Sequence, residues 1–279
     1  MAGLNEARPS AVTLPSVTDP TTEKIPSVWA FAAIGITAGF LAGMLGVGGG
    51  IVLVPLMLAV GVAQHRAHAT SLLAILVIAS AGMIRFAFSG EVAWLLGLVV
   101  AAGAIAGSTV GSRVMGRMSP RVLRAVFVVI LVVAGTRMVI GGEVGAGGGM
   151  DDATAWVIAL LIGLVSGFTA GVAGVGGGVI IVPALVFLLG IEQHTAEGTS
   201  LLVIIFTALA ASRVNLAEGR VNIRDGLVMG FAGVVSTLIG ASLALGLDGQ
   251  LLTQIFGVFS LVVAARMAWS IRPRSPRPA

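Results

Sequence analysis

The chain has no cysteine and no tyrosine, and only 10% of its 279 residues are charged. Without cysteine there are no disulfides and no thiolate metal sites, and cysteine usage says nothing about compartment. The shortage of charge excludes an ordinary soluble domain, where roughly a quarter of residues are charged. No H-E-x-x-H pair and no pair of carboxylates within an apolar run is present, so an intramembrane enzyme lacks its usual equipment. What the chain does have is apolar surface: 57% of residues are hydrophobic and the mean hydropathy is +1.07. A polytopic membrane protein follows, with the lipid bilayer as its first partner. The pI of 11.2 comes with a net charge of only +4. The charge is almost all arginine near the ends of apolar runs, which fits membrane topology and not nucleic-acid binding.

The chain is one unit written twice. Gly46-Val47-Gly48-Gly49-Gly50 returns as Gly174-Val175-Gly176-Gly177-Gly178. Gly39-Phe40-Leu41-Ala42-Gly43 and Val54-Pro55 return as Gly167-Phe168-Thr169-Ala170-Gly171 and Val182-Pro183. After one inserted residue, Gln64-His65 and Thr70-Ser71-Leu72-Leu73 return as Gln193-His194 and Thr199-Ser200-Leu201-Leu202. Each glycine costs a helix about 1 kcal/mol relative to Ala, so such a cluster breaks it. Within a bilayer, broken backbone survives only where protein or a wet cavity surrounds it. A break at matching places in two halves points to a transporter's binding site.

Apolar runs fall at 28–45, 51–63, 70–89, 92–113 and 121–140, then at 154–173, 179–191, 199–217, 225–247 and 250–271. A full crossing takes about 20 residues. The runs at 51–63 and 179–191 are too short, so each is expected to form a hairpin with the run before it. The expected fold is all-α, with three full spans plus one glycine-broken hairpin per repeat and about eight to ten helices. Residues 1–27 lack the basic start and apolar core of a signal peptide and are read as a disordered cytoplasmic tail. The repeats occupy 28–142 and 154–271, joined by an extracytoplasmic connector at 143–153, and 272–279 form a basic cytoplasmic tail.

Arginine sets the orientation, because Lys and Arg stay in cytoplasmic loops. Arg113, Arg117, Arg121 and Arg124 mark one cytoplasmic connection, and Arg220 and Arg224 mark another. The connector with Glu143, Asp151 and Asp152 falls outside. A loop at 64–69, with His65, Arg66 and His68, falls inside, whereas its counterpart at 192–198, with Glu192 and Glu197, falls outside. Equivalent connections swap their charge, which predicts inverted-topology repeats whose glycine hairpins enter from opposite faces and meet. Glycines at spacing four (Gly35, Gly39, Gly43; Gly163, Gly167, Gly171; Gly103, Gly107, Gly111) predict close helix contacts.

Candidate site residues follow from the breaks. Gly48, Gly49, Gly50, Gly176, Gly177 and Gly178 would offer backbone N–H groups at half-helix starts to an anion. Close packing without a ligand is the plain alternative. Neither cluster is a phosphate loop, since the lysine is missing and Ile51 and Val179 stand where a third glycine would. Thr70-Ser71 and Thr199-Ser200 open the third run of each copy, as N-caps or as hydroxyl ligands to a substrate oxygen or coupling ion. Arg85 and Arg213 either snorkel or form a fork on an oxyanion, with Asn215 as a polar neighbour. No Asp or Glu is expected deep in a span, so proton coupling would fall to His65 or His194. Loop histidines are also commonly just solvated. No cofactor and no metal site is read, and a homo-oligomer is left open.

The doubled Gly-Phe-x-Ala-Gly-x-x-Gly-Val-Gly-Gly-Gly…Val-Pro, each copy followed by His-x-x-x-x-Thr-Ser-Leu, resembles the TauE/SafE family over almost all of 28–271. The resemblance implies a multi-pass permease of the bacterial inner membrane for small sulfur-containing anions such as sulfite or organosulfonates, working mostly in export. Relatives that import thiosulfate use cysteines, which this chain lacks. A Na⁺- or H⁺-coupled carrier of another small solute is the alternative.

Overall fold

The computed structural model describes residues 27–114, 120–141, 153–173 and 177–269. The two tails, most of the expected 143–153 connector, and Gly174, Val175 and Gly176 lie outside the described residues. Among the described residues ten helices run in order: α1 Val28–Leu45, α2 Gly50–Ala59, α3 Gln64–Phe88, α4 Trp94–Val114, α5 Pro120–Ile140, α6 Ala153–Ala173, α7 Gly178–Leu189, α8 Gln193–Ala217, α9 Ile223–Gly246 and α10 Gly249–Trp269. Six of them (α1, α3, α6, α8, α9 and α10) are long and apolar enough to cross a membrane. The all-helical, multi-pass expectation holds. One detail changes. With 18 and 21 residues, α1 and α6 are full-length helices, each followed by a half-length α2 or α7, so the hairpins are lopsided.

The boundaries have local causes. Ser27 caps α1, its hydroxyl accepting from the Ala30 N–H. Gly46, at φ 64, ends α1 in the left-handed conformation that glycine adopts without a Cβ penalty, and its N–H donates to the Ala42 carbonyl. Pro55 and Pro183 stand inside α2 and α7. Each lacks the N–H that would bond the carbonyl four residues back, which weakens these half-helices near their starts.

The longest helix contacts cross between the copies. α1 packs on α9 and α4 packs on α6. A methyl group added at Gly35, Gly39 or Gly43 would strike the backbone of Met229, Gly233 or Thr237, in rising order along both chains. Thus α1 and α9 run parallel. Gly103 and Gly107 meet Leu160 and Leu164 in the same way, so α4 and α6 run parallel. Gly35, Gly39, Gly43, Gly103, Gly107, Gly163 and Gly167 of the predicted stripes therefore line the seams, and they let backbones approach where lipid supplies no hydrophobic drive. Two pairs of helices at matching positions in the two copies run antiparallel. In α3 and α8, Gly82 meets Leu201 and Phe86 meets Gly198; in α5 and α10, Gly135 meets Gly257 and Gly141 faces Gln250.

Hydroxyls join the copies at both ends. Thr70 Oγ1 accepts from the Asn222 N–H at 3.1 Å, and Thr199 Oγ1 accepts from the Ala93 N–H at 3.0 Å. The first contact lies at the end of the bundle that holds His65, Arg66, Arg220 and Arg224, and the second lies beside Glu91. Phe231, Val235 and Ile239 of α9 and Val258 and Val262 of α10 are exposed, as suits lipid-facing helices.

Candidate functional site

Between Leu45 and Gly50 the chain turns through Gly46, Gly48 and Gly49, all at positive φ. Gly49, at φ 75, stands at the N-cap of α2 and offers no side-chain cap. Its carbonyl takes the N–H groups of Val52 and Leu53, leaving those of Gly50 and Ile51 as the first donors at the helix start. The second copy repeats this. Gly177, at φ 74, caps α7, and its carbonyl takes the N–H groups of Ile180 and Ile181, leaving those of Gly178 and Val179.

The two turns touch. A Cβ built on Gly178 would lie 2.9 Å from both Cα and O of Val47 and 2.8 Å from Cδ1 of Ile204. A Cβ on Gly48 would lie 2.8 Å from Cγ2 of the same Ile204. Ile204 falls next to the middle of the 25-residue α8. The two half-helix starts therefore meet at mid-length of a full-span helix. All five residues of the first turn, together with Gly177 and Gly178, are buried. The junction is close packed, so an anion enters it only if the turns or α8 move. A surface groove between α3 and α4, lined by Met83, Ile84, Ala87, Phe88 and Trp94, holds none of the predicted site residues.

The hydroxyl pairs lie elsewhere than expected. α3 begins at Gln64 and α8 at Gln193, so Thr70-Ser71 and Thr199-Ser200 sit well inside helices and cap nothing; Ala63 and Glu192 hold the N-cap positions. The supposed loops 64–69 and 192–198 are helix too, from Gln64 and from Gln193 onward. Thr70 and Thr199 are buried and committed to the cross-copy bonds above, and Ser71 Oγ donates to the His68 carbonyl at 2.9 Å. Ser200 differs. Its hydroxyl is fully buried and has no hydrogen-bond partner.

The cations stay away from the junction. Arg85, in the last turn of α3, donates to Ser242 Oγ at 2.9 Å and Ser89 Oγ at 2.6 Å. Arg213 is exposed, and Asn215 donates its amide back to Ala211 O within α8 at 2.8 Å. Arg85 is thus engaged at the end of α3, and among the described residues neither arginine is bonded to the glycine turns. Of the two histidines, His65 is exposed, while His194 is buried with Nε2 3.1 Å from Ala244 O.

One residue overturns an expectation outright. Glu197 is not in a loop but inside α8, and it is fully buried. Its Oε1 accepts from Gln193 Nε2 at 2.7 Å, and its Oε2 has no partner. Its backbone supports the first glycine turn: a Cβ on Gly46 would lie 2.6 Å from Glu197 Cα. Glu197, Ser200 and Ile204 fall at helical spacing on one face of α8, the face that meets the turns. The signal available in sequence was the Gln193–Glu197 pair at spacing four with no helix breaker between.

The family profile described as Sulfite exporter TauE/SafE matches residues 5–138 and 159–279. The chain belongs to the TauE/SafE family. A TauE/SafE relative from Xylella fastidiosa (strain Temecula1), named "Probable membrane transporter protein", is 32% identical over 251 residues, covering 83% of this chain and 91% of the relative. The Bacillus subtilis protein "Probable membrane transporter protein YunE" is 29% identical over 126 residues, 43% of this chain and 46% of its own. A Haemophilus influenzae "Probable membrane transporter protein" is 30% identical over 179 residues, 60% of this chain and 65% of its own. In this TauE/SafE member the α1–α2 turn and the start of α7 lie where the two copies meet, and the multi-pass helical bundle fits a membrane transporter.

Proposed function

We propose that this protein is a secondary transporter for small sulfur-containing anions, sulfite and organosulfonates, acting in export across the bacterial inner membrane. The observation that carries the reading is the contact between Val47 and Gly178. It brings two half-helix starts, one from each copy, together at mid-length of α8. Each helix start favours an anion by about 0.3–1 kcal/mol near a surface and up to about 2 kcal/mol when partly buried. Such a site attracts an anion without burying a formal positive charge, which costs at least about 2.5 kcal/mol at the bilayer centre. Gly48, Gly49, Gly50, Gly177 and Gly178 supply the backbone, with Ser200 a spare hydroxyl on the same helix as Ile204; the expected Gly176 lies outside the described residues. The family description supplies the sulfite class.

The repeats are inverted in topology, with both termini cytoplasmic. The antiparallel course of α3 against α8 and of α5 against α10 supports the inversion, and the basic connections gathered at one end support the orientation. Alternating access follows from an asymmetry between equivalent residues. Gln64 and His65 are exposed where α3 begins, whereas Gln193 and His194, their counterparts at the start of α8, are buried. One end is thus loose and the other sealed, and exchange of these two arrangements carries the solute.

The test is flux of labelled sulfite, sulfoacetate, taurine, thiosulfate and sulfate through proteoliposomes, with thermal shifts of the purified protein alongside. Selective flux and stabilisation by a sulfite or sulfonate supports the reading, because a ligand of the native state raises its stability. A folded protein that moves and binds none of them refutes it.

A further inference from the structure

We infer that Glu197 is the proton-carrying group of this transporter, taking a proton on Oε2 each time the neighbouring glycine turns hold an anion, so that proton and anion cross together. The inference rests on the anion reading above and adds its coupling ion. An ionisable side chain inside a membrane span is costly and marks function by default. Glu197 is fully buried and half satisfied: Gln193 serves Oε1 and nothing serves Oε2. One turn further along the same face, Ser200 holds a second buried oxygen without a partner. Two buried oxygens without partners, one turn apart on the helix whose Glu197 backbone packs on Gly46, mark a place for a missing ligand.

That ligand is chemically restricted. A hard metal cation takes about six oxygen ligands or more. Here one carboxylate and one hydroxyl stand free, and no group of three metal-ligating carboxylates or histidines occurs among the described residues. A proton needs one lone pair. Among the described residues no cation is paired with Glu197. On α8, Gln193 is neutral and tied to Thr253 Oγ1 of α10, and the His194 ring lies against Ala244 O and Gly249. The turn between α1 and α2 and the whole of α7 carry no titratable side chain. From the α3–α4 connection, the Glu91 carboxylate is held by the Thr195 hydroxyl, and Arg85 near the end of α3 is held by Ser242 and Ser89. Asp248, between α9 and α10, accepts from the Gln250 and Leu251 N–H groups.

Coupling then follows from charge. Glu197 and Ile204 are seven residues apart on α8, about 10 Å along its axis. An anion at the turns and an ionised carboxylate at that range repel strongly where water is scarce. A proton on Oε2 removes the repulsion, so the loaded carrier holds both. Net direction follows the combined gradients, and export proceeds when the internal anion concentration outweighs the opposing pH gradient.

The experiment uses full-length protein in liposomes with a trapped pH dye, sulfoacetate as the anion, and potassium with valinomycin to clamp the potential. Wild-type protein should acidify the lumen as sulfoacetate enters, and acid outside should drive sulfoacetate accumulation. Glu197→Gln should keep exchange of labelled for unlabelled sulfoacetate but lose both acidification and pH-driven accumulation, down to the empty-liposome background. Gln193→Leu, which removes the donor to Oε1, should move the pH midpoint of uptake upward, a shift that simple loss of folding does not produce. Sulfoacetate flux without acidification overturns the inference and leaves the anion reading standing. So does acidification by Glu197→Gln at the wild-type rate, an unmoved midpoint in Gln193→Leu, or flux that requires Na⁺. A wild-type protein that carries no sulfoacetate overturns the choice of substrate and this inference with it.

Discussion

Replacing Gly178 with alanine tests whether the two glycine turns support each other. Gly178 is the first residue of α7 and is absent from the positive-φ glycines, so alanine meets no conformational penalty there. Its cost is purely steric. The new methyl carbon would sit 2.9 Å from Cα and O of Val47 and 2.8 Å from Cδ1 of Ile204. Ordinary carbon contacts lie near 3.5–4.0 Å, so the turns must part by roughly 0.6–1 Å. Ile204 can rotate its terminal methyl, but the Val47 backbone cannot yield without moving the α1–α2 turn. Overpacking of this kind costs about 1–3 kcal/mol. The assay is thermal unfolding of purified protein in detergent, paired with sulfite flux per folded molecule. Both should fall in Gly178→Ala. Ile204→Val in the same chain removes Cδ1 and should restore part of the stability but little of the flux, because the Val47 clash remains. A Gly178→Ala protein with wild-type stability and flux would refute the contact and the site built on it.

Thr70→Val and Thr199→Val each remove the acceptor of a half-buried N–H, of Asn222 and Ala93, and should cost about 0.5–1.5 kcal/mol apiece by thermal or denaturant unfolding. The two losses should add, since the bonds lie at opposite ends of the bundle. Arg85→Gln should cost about 1 kcal/mol or less and leave the KM for sulfite unchanged, because its partners are Ser242 and Ser89 at a helix end. The absence of native cysteine permits single-cysteine labelling in an otherwise natural chain. In intact cells a membrane-impermeant maleimide should label Glu192→Cys but not Arg220→Cys, and the reverse pattern would invert the proposed orientation.

The repeat, the broken hairpins and the glycine seams were legible because glycine acts locally: it ends a helix or admits a neighbouring backbone wherever it stands. The starts of α3 and α8 were not. Hydropathy placed them at Thr70 and Thr199, since Gln64, His65, Gln193 and Glu197 are polar and look like loop. What makes those turns helical is tertiary. Gly198 presses on the Glu91 carbonyl, and Glu197 backs the Gly46 turn, contacts made with residues far away in sequence. The same blind spot hid Glu197, whose burial depends on α1 and not on its own neighbours. Arg85 and Arg213 drew attention as charges near apolar runs, yet only the fold shows one engaged by α9 and the other facing outward.

The parallel pairing of α1 with α9 and of α4 with α6 has a consequence for biosynthesis. When the first copy leaves the ribosome, the glycine faces of α1 and α4 have no mates, because those belong to helices not yet made. Neither half can finish as a separate body, and α1 must wait in the bilayer until almost the whole chain has been inserted. Two half-length polypeptides, cut at the connector and made together, should therefore find one another and rebuild the protein, while either made alone should be cleared by proteases.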